Sequence, residues 1–562
     1  MPSIHPHPVL NRIYAARGVE QTSDLDHQLQ SLLPYHAFHD VNKAVERLYT
    51  ALVQQQKILI VGDFDADGAT SSALAVSALK AFGAKQVEFL VPNRFEYGYG
   101  LTPGIIGIAK KWQPDVIITV DNGIASIDGV AAANEAGIDV IVTDHHLPGD
   151  ELPNACAIVN PNQVGDDFSS KSIAGVGVIF YVMSAFRRHL ANEGWFTKQS
   201  IPEPKMTRWL DLVALGTVAD VVSLDKNNRI LVKQGLTQIR KGQCRPGLRA
   251  LVEVSGRTLA KLRESDLGFA IAPRLNAAGR LDDMALGIEC LLTEEEDKAR
   301  MLASQLDELN LERRKIEQEM KEQAFEALNK LSFTADTLPS ALCLMDKTWH
   351  QGVIGILAGR LKDSYHRPVI AFSHVSDDEL KGSARSVSGL NIRDVLADID
   401  KDNPGLIAKF GGHAMAAGLS LHPDNFVTFK QCLISEIDKY LDVSECSGEL
   451  LSDGPLDVTD FTLQFAGLIQ ESGPWGQNFP EPLFDNEFEV LDQRLVGERH
   501  LKLTLAHSES GEPIDAIAFN VDLKAWPNHR ARKIHAAYRL DINEYAGRTK
   551  LQLIISGLQA ST

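Results

Sequence analysis

The sequence predicts a multidomain α/β protein: a parallel-sheet domain, a long connecting helix, a second α/β domain and a small C-terminal β-barrel. Three observations predict it. Apolar, β-branched runs alternate with helix-forming stretches between about 57 and 220. A segment without Gly or Pro runs from Thr293 to Leu331 at helical spacing, and five strand-like runs fall close together after residue 452. At 562 residues the chain exceeds one hydrophobic core, and roughly 150 residues per domain gives three or four folding units.

Taken in order, the first region reads KILIVGDFD, VEFLVP, DVIITVDNG, IDVIVTDHH and CAIVNPN. Helix formers such as ATSSALAVSALKAF and SIDGVAAANEAG separate these runs. That alternation implies right-handed βαβ units in a mostly parallel sheet. In the next segment Leu302, Leu306, Leu309, Ile316 and Met320 recur at helical spacing; the stripe either packs against a domain or seats a coiled-coil partner. A second α/β segment, about 341 to 440, opens with ALCLMDKTWHQGVIGILAGRL and contains PVIAFS and KFGGHAMAAGLSL. The tail carries FEVLDQRLV, HLKLTLAH, PIDAIAFN, AAYRLDINEYA and KLQLIISGL, five strands that suit a barrel of OB-fold type.

Composition excludes several classes. Hydrophobic residues at 44% and charged residues at 23% are ordinary globular values. The start MPSIHPHPVLNRIY lacks a secretory pattern, and no run of about 18 apolar residues appears, so the cytoplasm is expected and a membrane partner is not. Cys156, Cys244, Cys290, Cys343, Cys432 and Cys446 form no CxxC pair and read as reduced, mostly buried thiols. A net charge of -18 disfavours a protein that coats nucleic acid, because phosphate binding relies on Lys and Arg. A nucleic-acid path must be a local basic strip; Lys524, Arg530, Arg532, Lys533, Arg539, Arg548 and Lys550 face only Asp541 and Glu544 there. Trp526, Tyr538 and Tyr545 in that strip either stack on bases or fill the barrel core.

The decisive pattern is where acids follow predicted strands. Asp63, Asp65 and Asp67 in VGDFDADG, Asp121 in TVDNG, and Asp144, His145 and His146 in VTDHH all sit at C-terminal strand ends, the ligand-binding edge of a parallel sheet. Carboxylates crowded there would repel by several kcal/mol, which a shared cation offsets. An Asp and His donor set suits Mn²⁺ or Mg²⁺ rather than structural Zn²⁺. Asp220, at the end of WLDLVALGTVADVV, is either structural or a further ligand. No GxSxG elbow or Cys/His signature suggests a covalent nucleophile.

Four segments in this order, DFDADG, DNG, DHH and GTVADVV, resemble the signature motifs of the DHH phosphoesterase superfamily. SIAGVGVIF, PRLNAAGR, GSARS, FGGHAMAAG and GPWGQNFPEPLF resemble its bacterial branch of single-strand-specific 5′→3′ exonucleases. The resemblance implies an N-terminal extension (1–56), a DHH catalytic domain with an insert (57–290), a connecting helix (291–335), a DHHA1-type domain (336–445) and an OB-fold domain (446–562). It implies two ions, Mn²⁺ or Mg²⁺, held by Asp65, Asp67, Asp121, His145 and Asp220, with Asp121 bridging and Asp63 a ligand or a support beside them. Asp144 is expected to fix the tautomer of a metal-ligating histidine, and His146 to contact the scissile phosphate or protonate the leaving oxygen.

For strand binding, Arg274, Asn276 and Arg280 in APRLNAAGR offer guanidinium forks among small residues, or else tether the core. The resemblance implies that Ser383, Arg385 and His413, with Lys381 beside them, read a 5′-phosphate; the alternative is that Gly411 and Gly412 are mere turn residues. That histidine is expected on a glycine-rich turn, Gly411 and Gly412, that opens a helix. Trp349 and His350 either line that site or pack. The implied activity releases 5′-mononucleotides from the 5′ end of single-stranded DNA in recombination, repair and mismatch repair. A monomer working with single-strand-binding protein and a repair helicase is implied. Two rivals remain: a DHH phosphodiesterase acting on short oligoribonucleotides or cyclic dinucleotides, and a non-catalytic single-strand-binding scaffold.

Overall fold

The computed structural model describes residues 4–561 except 93–96, 98, 331–337, 442–448, 498–499, 510, 522–525, 527–530 and 546. The chain folds as two compact units. Unit 1 comprises Met1–Gly279, Asp283–Leu306 and Leu450–Thr562; unit 2 comprises Arg280–Asp282 and Asp307–Glu449.

Five parallel strands form the first sheet: β1 (Ile58–Gly62), β2 (Val87–Leu90), β3 (Val116–Val120), β4 (Asp139–Thr143) and β5 (Ala157–Val159), in the order β2-β1-β3-β4-β5. Every residue of β1 and β3 is buried, as expected for strands covered on both faces. The order reverses between β1 and β3. Connections leave these two strands in opposite directions, so a crevice opens at their C-terminal ends.

The helix Ala66–Ala81 leaves β1 and packs against the helices Gly175–Asn192 and Leu210–Ala219. Small residues make that three-helix layer possible, because all of Ala66–Leu79 except Ser77 is buried. Asp211 in the third helix is 1% exposed and holds Arg245 through Oδ2 to Nε at 2.9 Å and Oδ1 to Nη2 at 3.1 Å.

The C-terminal segment of unit 1 is a closed five-stranded barrel. Its strands are β11 (Phe484–Val496), β12 (His500–His507), β13 (Pro513–Ala518), β14 (Lys533–Tyr545) and β15 (Arg548–Ala560), in the order β11-β12-β13-β15-β14 with β11 paired to β14. Only β13 and β15 run parallel. Three strands are 13 residues long, longer than the sequence suggests, and bulges at Val490/Asp492 and Ala537/Tyr538 bend two of them around the barrel. Tyr538 is fully buried and Trp526 is 7% exposed, so both are packing residues rather than stacking surfaces. Lys524, Arg530 and the Tyr545 side chain lie outside the described residues.

The first helix, Pro8–Ala16, leads to Arg17, whose guanidinium pairs with Asp453 at 2.7 and 3.0 Å; Tyr14 donates to the Ser472 carbonyl at 3.0 Å. Close by, burial and the charges of Lys233 and Arg229 push the His27 imidazole down to about 4. The unfolded chain therefore binds a proton between about 6.5 and about 4 that the folded chain refuses, and stability falls as pH is lowered through that window. Urea midpoints at pH 7 and pH 5 test this. His27→Gln is expected to remove a pH dependence of up to about 1.4 kcal/mol per pH unit, and an unchanged slope would count against it.

Unit 2 holds a mixed sheet of β6 (Leu342–Asp346), β7 (Val369–Ser376), β8 (Glu379–Arg385), β9 (Lys409–Gly412) and β10 (Ala416–Leu421), ordered β6-β7-β8-β10-β9. β6 and β7 are parallel and the other pairs antiparallel. Phe372, Leu380, Ala384 and Leu419 of the sheet share one core with Phe429 of the helix Phe426–Tyr440, while Ala371 shares a second core with Leu357 and Leu361 of the helix Ile354–Tyr365 and Met320 and Leu328 of the long helix Glu296–Lys330. The helical stripe is thus a packing stripe. Trp349 belongs to the same core, 6% exposed, with its indole N–H on Gln323 at 3.0 Å.

Contrary to the sequence expectation, FGGHAMAAG does not open a helix: Lys409–Gly412 and Ala416–Leu421 are the two strands of a hairpin. Gly412, at φ +145°, makes the turn, since a Cβ there would lie 2.4 Å from the Ala416 carbonyl. The alternation in AAGLSL, which buries Ala417, Leu419 and Leu421, is a strand pattern that outweighs the helix propensity of alanine and methionine.

Among the described residues all cysteines are free thiols, with Cys290 and Cys343 buried and pushed up to about 12 by burial. Cys156 is exposed and Cys244 and Cys432 are half-buried, so the expectation of mostly buried thiols does not hold among the described residues; Cys446 lies outside them. No helix of the described residues is long and apolar enough to cross a membrane.

Candidate metal centre

The crevice between β1 and β3 collects the acids that the sequence pattern singled out. Asp63 follows β1, Asp121 follows β3, and Asp144, His145 and His146 follow β4. Asp65 caps the helix Ala66–Ala81, accepting from the amides of Asp67 at 2.9 Å and Gly68 at 3.0 Å. Asp67, one turn in, accepts from the amides of Gly175 at 2.6 Å and Val176 at 2.9 Å, the positive end of the helix Gly175–Asn192. Asp220 arrives differently from the strand-end acids: it is the C-cap of the helix Leu210–Ala219.

Three overlapping sets of side chains could each hold a cation: Asp63, Asp65 and Asp121; Asp67, His145 and Asp220; and Asp121, His145 and His146. In each set one ligand atom per residue lies within 4.8 Å of the others. His145 Nε2 stands 3.1 Å from Asp121 Oδ1 and 3.4 Å from Asp220 Oδ2. Both carboxylate oxygens are buried and accept no hydrogen bond from the described residues. Burial, with Asp67 and Asp65 close by, pushes Asp121 and Asp220 well above the usual carboxylate range, and burial with Asp65 holds Asp67 up at about 7. Crowded acids that resist ionisation, orphaned oxygens and an all Asp/His donor set fit divalent cations of the Mn²⁺ or Mg²⁺ kind.

Asp144 has a separate task. Its Oδ1 accepts from the His145 and His146 amides and lies 2.7 Å from His146 Nδ1, while Oδ2 accepts from Ile124 N. The histidine it orients is therefore His146, not the one facing Asp121 and Asp220. Burial opposes the charge on both, but their mutual attraction prevails, lifting His146 to about 9 and bringing Asp144 down to about 2.

Backbone strain and glycine contacts mark the same place. Asp121 sits at φ +61° and the β-branched Val221, beside Asp220, at φ +60°, in a region that L residues with Cβ branches rarely occupy. A Cβ on Gly175 would fall 2.6 Å from Asp121 Cβ, and one on Gly216 2.7 Å from Asp67 Oδ1. Gly175→Ala should displace Asp121 and lower kcat by about 10²-fold, with a native circular dichroism spectrum. A fully active variant would show that the contact tolerates a methyl group.

Sequence reasoning missed Tyr99, whose hydroxyl donates to the Asp121 carbonyl at 3.2 Å and lies 3.3 Å from His146 Nδ1. It also missed Asn160 and Asn162, which donate to the carbonyls of His146 and His145 at 2.9 and 2.5 Å. VNPN after a strand was the available signal for both asparagines.

Of the strand-binding candidates, Asn276 accepts from Ala66 N at 2.8 Å and so braces the metal-site helix. Arg274 is 8% exposed and donates to the Ala270 carbonyl at 2.5 Å. Arg280, in unit 2, donates to the Gly352 carbonyl at 3.1 Å. Also in unit 2, Ser383 and Arg385 project from one face of β8, with Arg385 Nη1 3.2 Å from Ser383 Oγ. They approach the first turn of the helix Ile354–Tyr365, where a Cβ on Gly355 would lie 2.9 Å from Ser383 Oγ and 3.0 Å from Arg385 Nη2. Gly411 and Gly418 continue the Ser383 row, and His413 donates its amide to Ala416, the register partner of Arg385.

A doubly wound parallel sheet with acids and histidines at its switch point, followed by a second α/β sheet and an OB barrel, defines a DHH-type phosphoesterase architecture. Family descriptions agree along the chain: the DHH family N-terminal domain matches residues 57–217, the DHHA1 domain 338–439 and the RecJ OB domain 452–557. The single-stranded-DNA-specific exonuclease RecJ of Escherichia coli (strain K12) is 52% identical over 551 residues, covering 98% of this chain and 96% of the relative. The chain belongs to the RecJ family. Crystal structures of RecJ from Thermus thermophilus in complex with Mn²⁺ and with Mg²⁺ superpose with TM-scores of 0.81 and 0.75 at 28% and 26% identity. Each covers 100% of this chain, and this chain spans 77% and 76% of theirs.

Proposed function

We propose that the protein hydrolyses phosphodiester bonds of single-stranded DNA from the 5′ end, releasing 5′-mononucleotides in recombination and repair, with Mn²⁺ or Mg²⁺ as cofactor. The observation that carries the reading is the cluster of Asp63, Asp65, Asp67, Asp121, His145 and Asp220 at the switch point. Two divalent cations bound there supply charge neutralisation for the reacting phosphate and an activated water. Asp65, Asp67, Asp121, His145 and Asp220 would hold them, with Asp63 alongside. His146 is read as the group that donates a proton to the leaving oxygen, a role supported by Asp144, whose Oδ1 lies 2.7 Å from its Nδ1 and favours the protonated ring. The Tyr99 hydroxyl lies 3.3 Å from Nδ1 of the same ring.

Ser383, Arg385 and His413 are the residues proposed to read the 5′-phosphate, supported by the helix start at Gly355. Arg274 and Arg280, each of which also donates to a backbone carbonyl, are proposed to contact strand phosphates. Under this reading the domains divide at 56/57, 290/291, 335/336 and 445/446. The protein acts in the cytoplasm as a monomer beside single-strand-binding protein and a helicase.

Equal-length 5′- and 3′-labelled DNA single strands, DNA duplex and RNA, digested in Mn²⁺ and in Mg²⁺, test the reading. Mononucleotides should appear from the 5′ end of single-stranded DNA. Predominant 3′ release or faster cleavage of RNA would overturn the assignment, and equal turnover of a dinucleotide would favour a small-molecule diesterase.

A further inference from the structure

We propose that the loop Trp475–Phe479, which precedes the barrel, is a positioning element for Asp220. The inference rests on the reading of Asp220 as a cation ligand. Val221, the next residue, holds φ +60° although its side chain is 64% exposed, so its own packing does not hold it there. A strained backbone of this kind persists only where the surroundings over-determine it.

The determining contacts lie two and three residues further on. Leu224 is 4% exposed, and its amide donates to the Gln477 carbonyl at 2.9 Å. Its own carbonyl accepts from Arg229 Nη1 at 3.0 Å, and that guanidinium lies 4.2 Å from the Phe479 ring centroid. Ser223 Oγ accepts from Asn478 Nδ2 at 2.5 Å. The loop fits closely: a Cβ on Gly476 would lie 2.7 Å from Leu224 Cδ1. It is also braced, since Gly476 and Phe479 exchange backbone hydrogen bonds at 2.9 and 3.1 Å, Asn478 takes φ +57°, and the Trp475 amide donates to Glu264 Oε1 at 2.8 Å.

Leu224 is thus gripped at its amide, its carbonyl and its side chain by groups in or stacked on one loop. Behind it, Asp220 is fixed by the helix end, its amide on the Gly216 carbonyl at 2.9 Å. Only the left-handed Val221, whose amide also reaches the Val218 carbonyl at 3.3 Å, with Val222 and Ser223, joins the two anchors. When the grip loosens, Val221 relaxes toward the favoured region and turns Asp220 away from His145, whose Nε2 stands 3.4 Å from Asp220 Oδ2.

Mn²⁺ binding to the full chain, followed by the electron paramagnetic resonance of free Mn²⁺, tests the proposal against the Mn²⁺ concentration that half-activates hydrolysis. Gly476→Val is expected to weaken Mn²⁺ binding by about tenfold or more with no change in KM for the strand at saturating Mn²⁺. Adding Val221→Gly should restore binding, because glycine adopts φ +60° without Cβ strain. Asn478→Ala should shift binding the same way by less, and it stands in if Gly476→Val does not fold; Asn478→Gly, which keeps the left-handed turn, should shift it less than Asn478→Ala. Unchanged Mn²⁺ binding in a folded Gly476→Val or Asn478→Ala, or a loss that Val221→Gly does not relieve, overturns the positioning role. Asp220→Asn separates the two ideas: if it binds Mn²⁺ undiminished, the ligand reading itself fails.

Discussion

Replacing Asp121 by Ala is expected to cut hydrolysis of single-stranded DNA by about three to four orders of magnitude. The same change should raise the melting temperature of the metal-free protein. The first effect follows from position: Asp121 appears in two of the three candidate ligand sets, and its Oδ1 lies 3.1 Å from His145 Nε2. Removing it damages both prospective cation sites, and cation stabilisation of several kcal/mol converts to a tenfold rate change for each ~1.4 kcal/mol. The second effect follows from electrostatics. Burial and the charges of Asp67, Asp65, Asp220 and Asp63 all oppose ionisation of Asp121, so the metal-free fold is relieved when the carboxylate goes. Steady-state kinetics and thermal melting with and without Mn²⁺ check both signs. A metal-free variant that melted below the parent would contradict the account of crowded acids, and retained hydrolysis would contradict the ligand assignment.

Asp211→Ala is expected to cost about 3–5 kcal/mol of stability, because it strands a guanidinium whose partner carried most of its compensation. Asp211 is 1% exposed and its carboxylate also accepts from the Leu212 amide at 2.8 Å and the Arg245 amide at 3.0 Å. Among the described residues, the Arg245 guanidinium would then keep only a 3.2 Å bond to the Leu291 carbonyl. Urea unfolding should show a lower midpoint for the single variant. Asp211→Leu combined with Arg245→Met should recover much of the loss, since a matched apolar pair removes both desolvation penalties. A single-variant loss under about 1 kcal/mol would mean that Arg245 escapes to water.

The parallel sheet and its acid-bearing edge were legible because two signals coincide there. Runs such as ILIVG and VIITV are short and rich in β-branched residues, which favours buried strands over helices, and an acid directly after each run fixes the side-chain position to within a residue. Asp220 was ambiguous on the same logic, since ALGTVAD reads equally as strand or helix and the structure makes it a helix end. At the hairpin Lys409–Leu421 the two glycines before His413 suggest a helix-opening turn, and the strand alternation, spread over small residues in AAGLSL, is weak until the pairing with β8 and β9 is seen. Tyr99 was invisible for another reason: its contacts to Asp121 and His146 span 22 and 47 residues, and no local pattern encodes them. Asp144 was expected to orient a histidine, but which of two adjacent imidazoles it meets depends on side-chain rotation, which spacing does not determine.

The bond between Arg17 and Asp453 has a consequence for biosynthesis. Unit 1 is assembled from segments separated in the chain by the whole of unit 2. At about 5–20 residues per second, the ribosome reaches Asp453 tens of seconds after Arg17 has emerged. Through that interval Tyr14 lacks the rings of Trp475 and Phe479, and Arg229, once made, lacks the Phe479 ring. Nascent chains stalled before residue 450 should therefore bind hold-type chaperones and yield to protease at the first helix, whereas chains released after Phe479 should resist.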